Sequence, residues 1–378
     1  MPLIRRLARW GREHLSNLLM PLLAIVSSVF VASLFVLLTD VPPLEAYAHL
    51  LAAGFGCRAA GGCATGCPPP ALTTRINCIR LQFATPLLLT GLSATVAFRA
   101  GVFSVGQAGQ MVLGAAAAAW LGGRLNLPGV VRAAVALAGG AAVGAGWGWV
   151  PGALKKYLDI NEVIVTLVMN QLALLLVGVV RLPRVGASAR LAPLARGTKL
   201  NPGIVLALVA AALVTVYLWY RVSGYEQRMA GQAPLFAKFG GIRERQAVMQ
   251  AMGISGALAG LAGAIEVLGV HYRFVSAFSG GDGFDGVAVA LLGQLHPVGV
   301  TLTAILLAGV RLGATNGLQL KAHIPRELGG AMIAMMILFV SAERLYRMGI
   351  TRVRGLFCRP GTIRRIAQIR RPPPSADR

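Results

Sequence analysis

Long uncharged apolar runs recur along this chain, and they limit what it can fold into more than any other feature. They are Leu15–Thr39, Leu81–Phe98, Ala100–Gly123, Ala133–Leu154, Val163–Val180, Leu200–Tyr220, Gln246–Ile265 and Gly286–Val310. A helix needs roughly 20 apolar residues to cross the hydrocarbon of a bilayer, and most of these runs reach that length. Of the 378 residues, 56% are hydrophobic and only 13% charged. The expected fold is an all-α polytopic membrane protein of about ten transmembrane segments, some short or broken.

The net charge of +23 does not point to nucleic acid. The basic residues lie between the apolar runs, as membrane topology requires, rather than on one soluble face. Arg5, Arg6, Arg9 and Arg12 precede the first run and place the N-terminus, residues 1–14, in the cytoplasm. That run is too long for a signal-peptide core and ends without a small-residue cleavage site. Residues 15–345 then read as the transmembrane domain. Residues 40–74 form an outer loop, residues 221–245 a cytoplasmic one, and residues 346–378 a basic cytoplasmic tail. The span from Gln246 exits near Glu266, and a short segment over about 283–295 goes partway or fully in before His296-Pro297 breaks it. Arg181, Arg184, Arg190, Arg196 and Lys199 strain this alternation, because they fall on the outer side.

Within it, Phe98-Arg-Ala-Gly-Val-Phe-Ser-Val-Gly-Gln-Ala-Gly-Gln110 joins two runs separated only by Arg99. A lipid-exposed helix gains nothing from Gly101, Gly106 and Gly109 beside Ser104, Gln107 and Gln110. Irregular backbone at membrane depth survives only where protein buries it or where it lines a cavity. Glycine-interrupted segments mark transporter substrate paths. Small residues also allow close helix contact, so the stretch suits packing as well as a path.

Other polar residues admit two readings each. Glu162 and Asn170 are eight apart, roughly two helical turns, and share a face. Glu162 also suits a first helical turn, where a negative charge meets the positive end of the helix. Asp282 and Asp285 resemble a paired carboxylate motif, but Asp285 precedes an apolar helix and fits an N-cap. Cys57, Cys63 and Cys67, with Cys78 just beyond, carry spacings unlike a zinc site and read as a disulfide or free thiols. His271 and His296 flank the short segment without an obvious partner. The sequence offers no catalytic constellation, no metal-ligand set and no phosphate-binding GxxxxGK[ST] loop, so ATP would be hydrolysed elsewhere.

Four stretches, spanning about residues 80–345, resemble the inner-membrane permease subunits of ABC importers. The likeness is to the ribose and branched-chain amino acid permease superfamily, on its nucleoside and simple-sugar side. They are Pro86–Leu92 with Phe98–Gly101 and Gly106–Gln110; Asn161–Ile164 with Thr166 and Asn170; Gly224–Arg228 to Phe239–Ile242; and Ser255–Glu266 through Phe284–Gly293, His296–Gly299 and Ile324–Glu327. The resemblance implies a non-enzymatic translocation subunit for a polar small molecule such as a nucleoside or simple sugar. It implies a second permease subunit, two ATP-binding subunits, an extracytoplasmic substrate-binding protein and a lipid surround in the bacterial inner membrane, with no cofactor on this chain. Path-lining candidates are Gly106, Gln107, Gln110, Asn170 and Phe284. Coupling candidates are Gly224, Glu226, Arg228, Gly231 and Gly241, and structural caps are Glu162 and Asp285. The first motif departs from these relatives, which commonly read Phe-Asn-Ile-Gly-Ala-Glu-Gly-Gln. Here Ser104 replaces the asparagine, Ala108 the acid, and Gln107 adds an amide. The alternatives are an ion-coupled secondary transporter, which calls for charges inside the membrane, and a membrane enzyme.

Overall fold

The computed structural model describes residues 42–55, 70–194, 200–275 and 281–319, with Phe30, Ser33 and Leu34. The described residues from 42 onward belong to one compact unit, Val36–Ile333. Among them are eleven α-helices and no strand. These are α1 (Pro43–Phe55), α2 (Pro70–Arg99), α3 (Gln107–Arg124), α4 (Gly129–Leu158), α5 (Glu162–Val179), α6 (Gly203–Tyr220), α7 (Val222–Gln232), α8 (Pro234–Phe239), α9 (Glu244–Glu266), α10 (Asp282–Leu292) and α11 (Pro297–Gly313). Among the described residues six stretches are long and apolar enough to cross a membrane: Cys78–Arg99, Gly129–Leu158, Glu162–Val179, Gly203–Tyr220, Glu244–His271 and Pro297–Gly317. The protein is a polytopic helical membrane protein. The expected first span Leu15–Thr39 apart from Phe30, Ser33 and Leu34, together with Cys57, Cys63, Cys67, Ile324–Glu327 and both terminal stretches, lies outside the described residues.

The core is built from α2, α3, α4 and α9, and glycines set how close these helices come. A methyl group on Gly144 or Gly148 would collide with α9 at the Gly256 or Met252 carbonyl, and one on Gly114 would collide with Gly260. Dispersion between closely approaching backbones replaces the hydrophobic drive that lipid cannot supply. Accordingly α2 and α9 are mostly buried, whereas α4 and α5 turn most of their surface outward.

Residues 43–55, read as loop from the sequence, form helix α1. At 13 residues it falls short of a full span. It is nonetheless packed, because Gly309, Gly313 and Gly317 form a groove that receives the α1 backbone at Gly54, Leu50 and His49. Cys78 lies inside α2 as a free thiol.

Candidate functional site

The centre of the bundle is an interruption. Helix α2 ends at Arg99, and α3 does not begin until Gln107. Between them Gly101 adopts a φ of 79°, where a side chain would be strained. Gly101 N–H donates to the Phe98 carbonyl and Val102 N–H to the Ala97 carbonyl, both at 3.1 Å, closing a tight turn. Gly106 offers no side-chain cap for α3. The orphan donors of a helix N-terminus must find partners, and α5 supplies one from outside. Asn170 Oδ1 accepts from Gly109 N–H at 2.8 Å while Asn170 Nδ2 donates to the Val105 carbonyl at 2.8 Å. Thr166, one turn earlier, accepts from Val105 N–H through Oγ1 at 3.4 Å. Position 109 must be glycine because a methyl group there would sit 2.8 Å from Asn170 Oδ1.

Gln107 and Gln110 are almost wholly buried, at 0% and 1% exposure. Gln107 Nε2 donates to the Ser104 carbonyl at 3.2 Å, but both amide Oε1 atoms are buried without a hydrogen-bond partner. Gln110 is turned toward Gly106 and Gly148, whose missing side chains leave room for its amide. Ser104 is fully buried and accepts from Gly106 N–H at 3.3 Å. On the rim of the break Phe103 is half-exposed and stacks on Phe98, with ring centroids 4.7 Å apart.

Helix α10 is a half-span, and it meets the interruption. Thr90 Oγ1 donates to the Asp282 carbonyl at 3.2 Å, and Gly286 packs on Thr90. Gly283 lies so close to Ala108 that a methyl group would come within 2.5 Å of its Cα. At the other end Arg99 Nε donates to the Leu295 carbonyl at 3.0 Å. Thus α10 runs parallel to the last turns of α2, and its N-terminus meets that of α3 inside the bundle. The short segment expected from the sequence forms α10, whose 11 residues are too few for a full span. Phe284, one residue beyond the contact with Ala108, is half-exposed.

The two cap assignments are corrected by the helix starts. Helix α10 begins at Asp282, so Asp285 lies inside the first turn and caps nothing. Instead Arg311 of α11 reaches both carboxylates, Asp282 directly and Asp285 at 3.4 Å. For α5 the cap is Asn161, whose Oδ1 accepts from Val163 N–H at 2.9 Å. Glu162 is the first helical residue, as its favourable charge suggests, and pairs with Lys155 at 3.4 Å. The same lysine hydrogen-bonds Asp159 at 2.9 Å and holds that exposed carboxyl below the ordinary carboxylate range. Neither flanking histidine is isolated. His271 lies 3.5 Å from Glu266, and His296 accepts from Val298 N–H through Nδ1 and packs against Trp219 at 4.8 Å.

The loop over 221–245 forms two short helices, α7 and α8. Its candidate residues divide by direction. Gly224 is pressed onto the Tyr217 carbonyl, and Gly231 onto the backbone from Arg99 to Gly101. Arg228 lies over the Trp219 ring at 5.4 Å. These three face the bundle. Glu226 is half-buried, and Gly241, with a φ of 77°, turns the chain in open space. The outward face consists of residues not among those candidates: Tyr225, Leu235, Phe236 and Phe239, exposed by 48%, 74%, 63% and 89%.

A helical bundle built around an interrupted segment, with a half-span meeting the break and a folded loop braced beneath it, defines a multi-pass membrane permease. The chain belongs to the family described as branched-chain amino acid transport system / permease component, whose model matches residues 79–341. It is 34% identical over 353 residues to the guanosine ABC transporter permease protein of Bacillus subtilis, covering 89% of this chain and 96% of that one. It is 26% identical to the nucleoside ABC transporter permease protein of Lactococcus lactis, with 90% and 95% coverage. To the glucose ABC transporter permease protein of Haloferax volcanii it is 27% identical, with 87% and 89% coverage. No solved structure matches. The motif resemblance is borne out, and the chain is a translocation subunit of an ABC importer. The secondary-transporter alternative gives way to it.

Proposed function

We propose that this permease carries a nucleoside, with a simple sugar as the second choice. The observation that carries the reading is the pair of buried, unpartnered amide oxygens on Gln107 and Gln110 in the first turn of α3. Leaving such an acceptor unpaired costs about 1–3 kcal/mol, so a site that keeps two of them is built for a visiting donor. The hydroxyl and amino groups of a nucleoside supply donors, and the half-exposed rings of Phe103 and Phe284 suit a flat base. The guanosine and nucleoside permeases among the relatives support this choice, and the glucose permease supports the runner-up. In this reading Gly106, Gln107, Gln110 and Phe284 border the path, and Asn170 holds the break that positions them.

ATP is bound and hydrolysed by two separate subunits that dock on the apolar face of α7 and α8, which is then cytoplasmic together with both termini. A second permease subunit completes the channel, and an extracytoplasmic binding protein delivers cargo. The chain carries no cofactor. Rocking of the helices around the break gives alternating access. The test is reconstitution of the complex in lipid with its binding protein and a panel of guanosine, other nucleosides and glucose. Nucleosides are expected to stimulate ATPase and to be taken up. Stimulation by glucose alone would transfer the assignment to sugars, and stimulation by neither would refute both.

A further inference from the structure

Trp219 is held by two cations. The Arg99 and Arg228 guanidiniums each lie 5.4 Å from its ring centroid. Like charges brought to one ring repel each other, and neither arginine has a carboxylate within ion-pair reach among the described residues. What holds them is the face of the indole, with the Leu295 carbonyl accepting from Arg99 Nε at 3.0 Å. The ring also packs against His296 at 4.8 Å. Each member belongs to a different element: Arg228 to α7, Trp219 to the last turn of α6, Arg99 to the end of α2, and Leu295 and His296 to the turn between α10 and α11. That turn is strained, since Gln294 and Leu295 hold φ angles of 53° and 56° without being glycine.

We infer that Arg228, Trp219 and Arg99 form a joint that transmits movement of the loop to the C-terminal turn of half-helix α10, making all three positioning residues for transport. The inference rests on the coupling role proposed for the loop. Its physical basis is that loop and half-helix are linked through side chains that tilt and slide without breaking covalent or buried ionic bonds. A cation on an aromatic face is directional yet soft, so Arg228 can pull on the ring through a small displacement and remain attached. Arg99 then carries the displacement to a backbone carbonyl in a turn already in a high-energy conformation, where little further work is needed to switch it. The other end of α10 touches Ala108 at the start of α3, so a rotation at Leu295 reaches the path. Gly231, pressed on Arg99 to Gly101, provides a separate contact from the loop to the break itself.

The experiment uses the full complex in lipid and reads cargo moved per ATP hydrolysed, together with recovery of the ATPase subunits on purification. Arg228→Gln keeps length and polarity but removes the cation, and Trp219→Leu removes the ring. Each is expected to lower the transport-to-ATPase ratio several-fold with full ATPase recovery, and Arg228→Lys is expected to restore it. The double variant should be no worse than either single one, because both break the same link. Additive losses, or loss of ATPase recovery with an unchanged ratio, would overturn the joint and leave Arg228 as a docking residue. Should Trp219→Leu fail to assemble, the Gln and Lys variants at 228 still decide, since they alter a half-buried side chain on the loop. A wild-type complex without cargo-stimulated ATPase would count against the coupling role itself, which separates the two failures.

Discussion

Asn170 does two jobs with one side chain, and both concern backbone that has no other partner. Its Oδ1 serves the third N–H of α3 and its Nδ2 serves the Val105 carbonyl. Asn170→Leu keeps the volume and removes both bonds. It is expected to lower stability by about 2–4 kcal/mol, the cost of leaving two buried backbone groups unsatisfied, read as a fall in melting temperature in detergent. Gln110 predicts the opposite sign. Its Oε1 is already unsatisfied, so Gln110→Met fills the same space, relieves the penalty and is expected to raise the melting temperature while lowering uptake. Equal or lower stability with normal uptake would remove Gln110 from the path. The amides were legible in the sequence as residues out of place in lipid. Their division into a clamp and an open acceptor was not, because that depends on which helix lies opposite, and α5 is separated from the break by the whole of α3 and α4.

At the level of elements, the full-length spans were legible because length and lack of charge suffice for them, and the half-elements were less so. Helix α1 is framed by Pro42, Pro43 and Gly54, which read as loop punctuation; its packing comes from a glycine groove more than 250 residues away. Helix α10 begins at Asp282, four residues before its apolar run opens at Gly286, because Arg311 compensates two carboxylates at its start. Both acids also face the positive end of α10, which helps to tolerate them. Arg311 stood in the sequence as one arginine inside an apolar helix, and such a residue marks an internal partner. Removing it by Arg311→Gln leaves Asp282 and Asp285 near each other with no cation. The expected cost is about 3–5 kcal/mol, the range for breaking a buried pair by deleting one member, seen as poor recovery of folded protein. Neutralising the acids too, with Asp282→Asn and Asp285→Asn, should recover much of that loss. Failure of the triple variant to recover would mean that Arg311 acts through packing rather than charge.

For the whole molecule, the loop over 221–245 has two faces, and they separate assembly from coupling. Its inner face is fixed to the bundle by Gly224, Gly231 and Arg228, while its outer face presents Tyr225, Leu235, Phe236 and Phe239. A cluster of large apolar side chains on so polar a loop signals a partner surface. Because Phe236 and Phe239 touch little of this chain, Phe236→Ser with Phe239→Ser should leave the melting temperature unchanged, as substitutions away from buried features do, to within about 0.5 kcal/mol. Recovery of the ATPase subunits on purification should fall sharply. Gly231→Glu should behave in the reverse manner. The added side chain cannot fit between α7 and the backbone at Gly101, so the loop is forced off the break, yet the outer face stays available and the ATPase still docks. That variant is expected to hydrolyse ATP without moving cargo. Normal uptake by Gly231→Glu, or full ATPase recovery by the double serine variant, would each reject one face of this assignment while leaving the other standing.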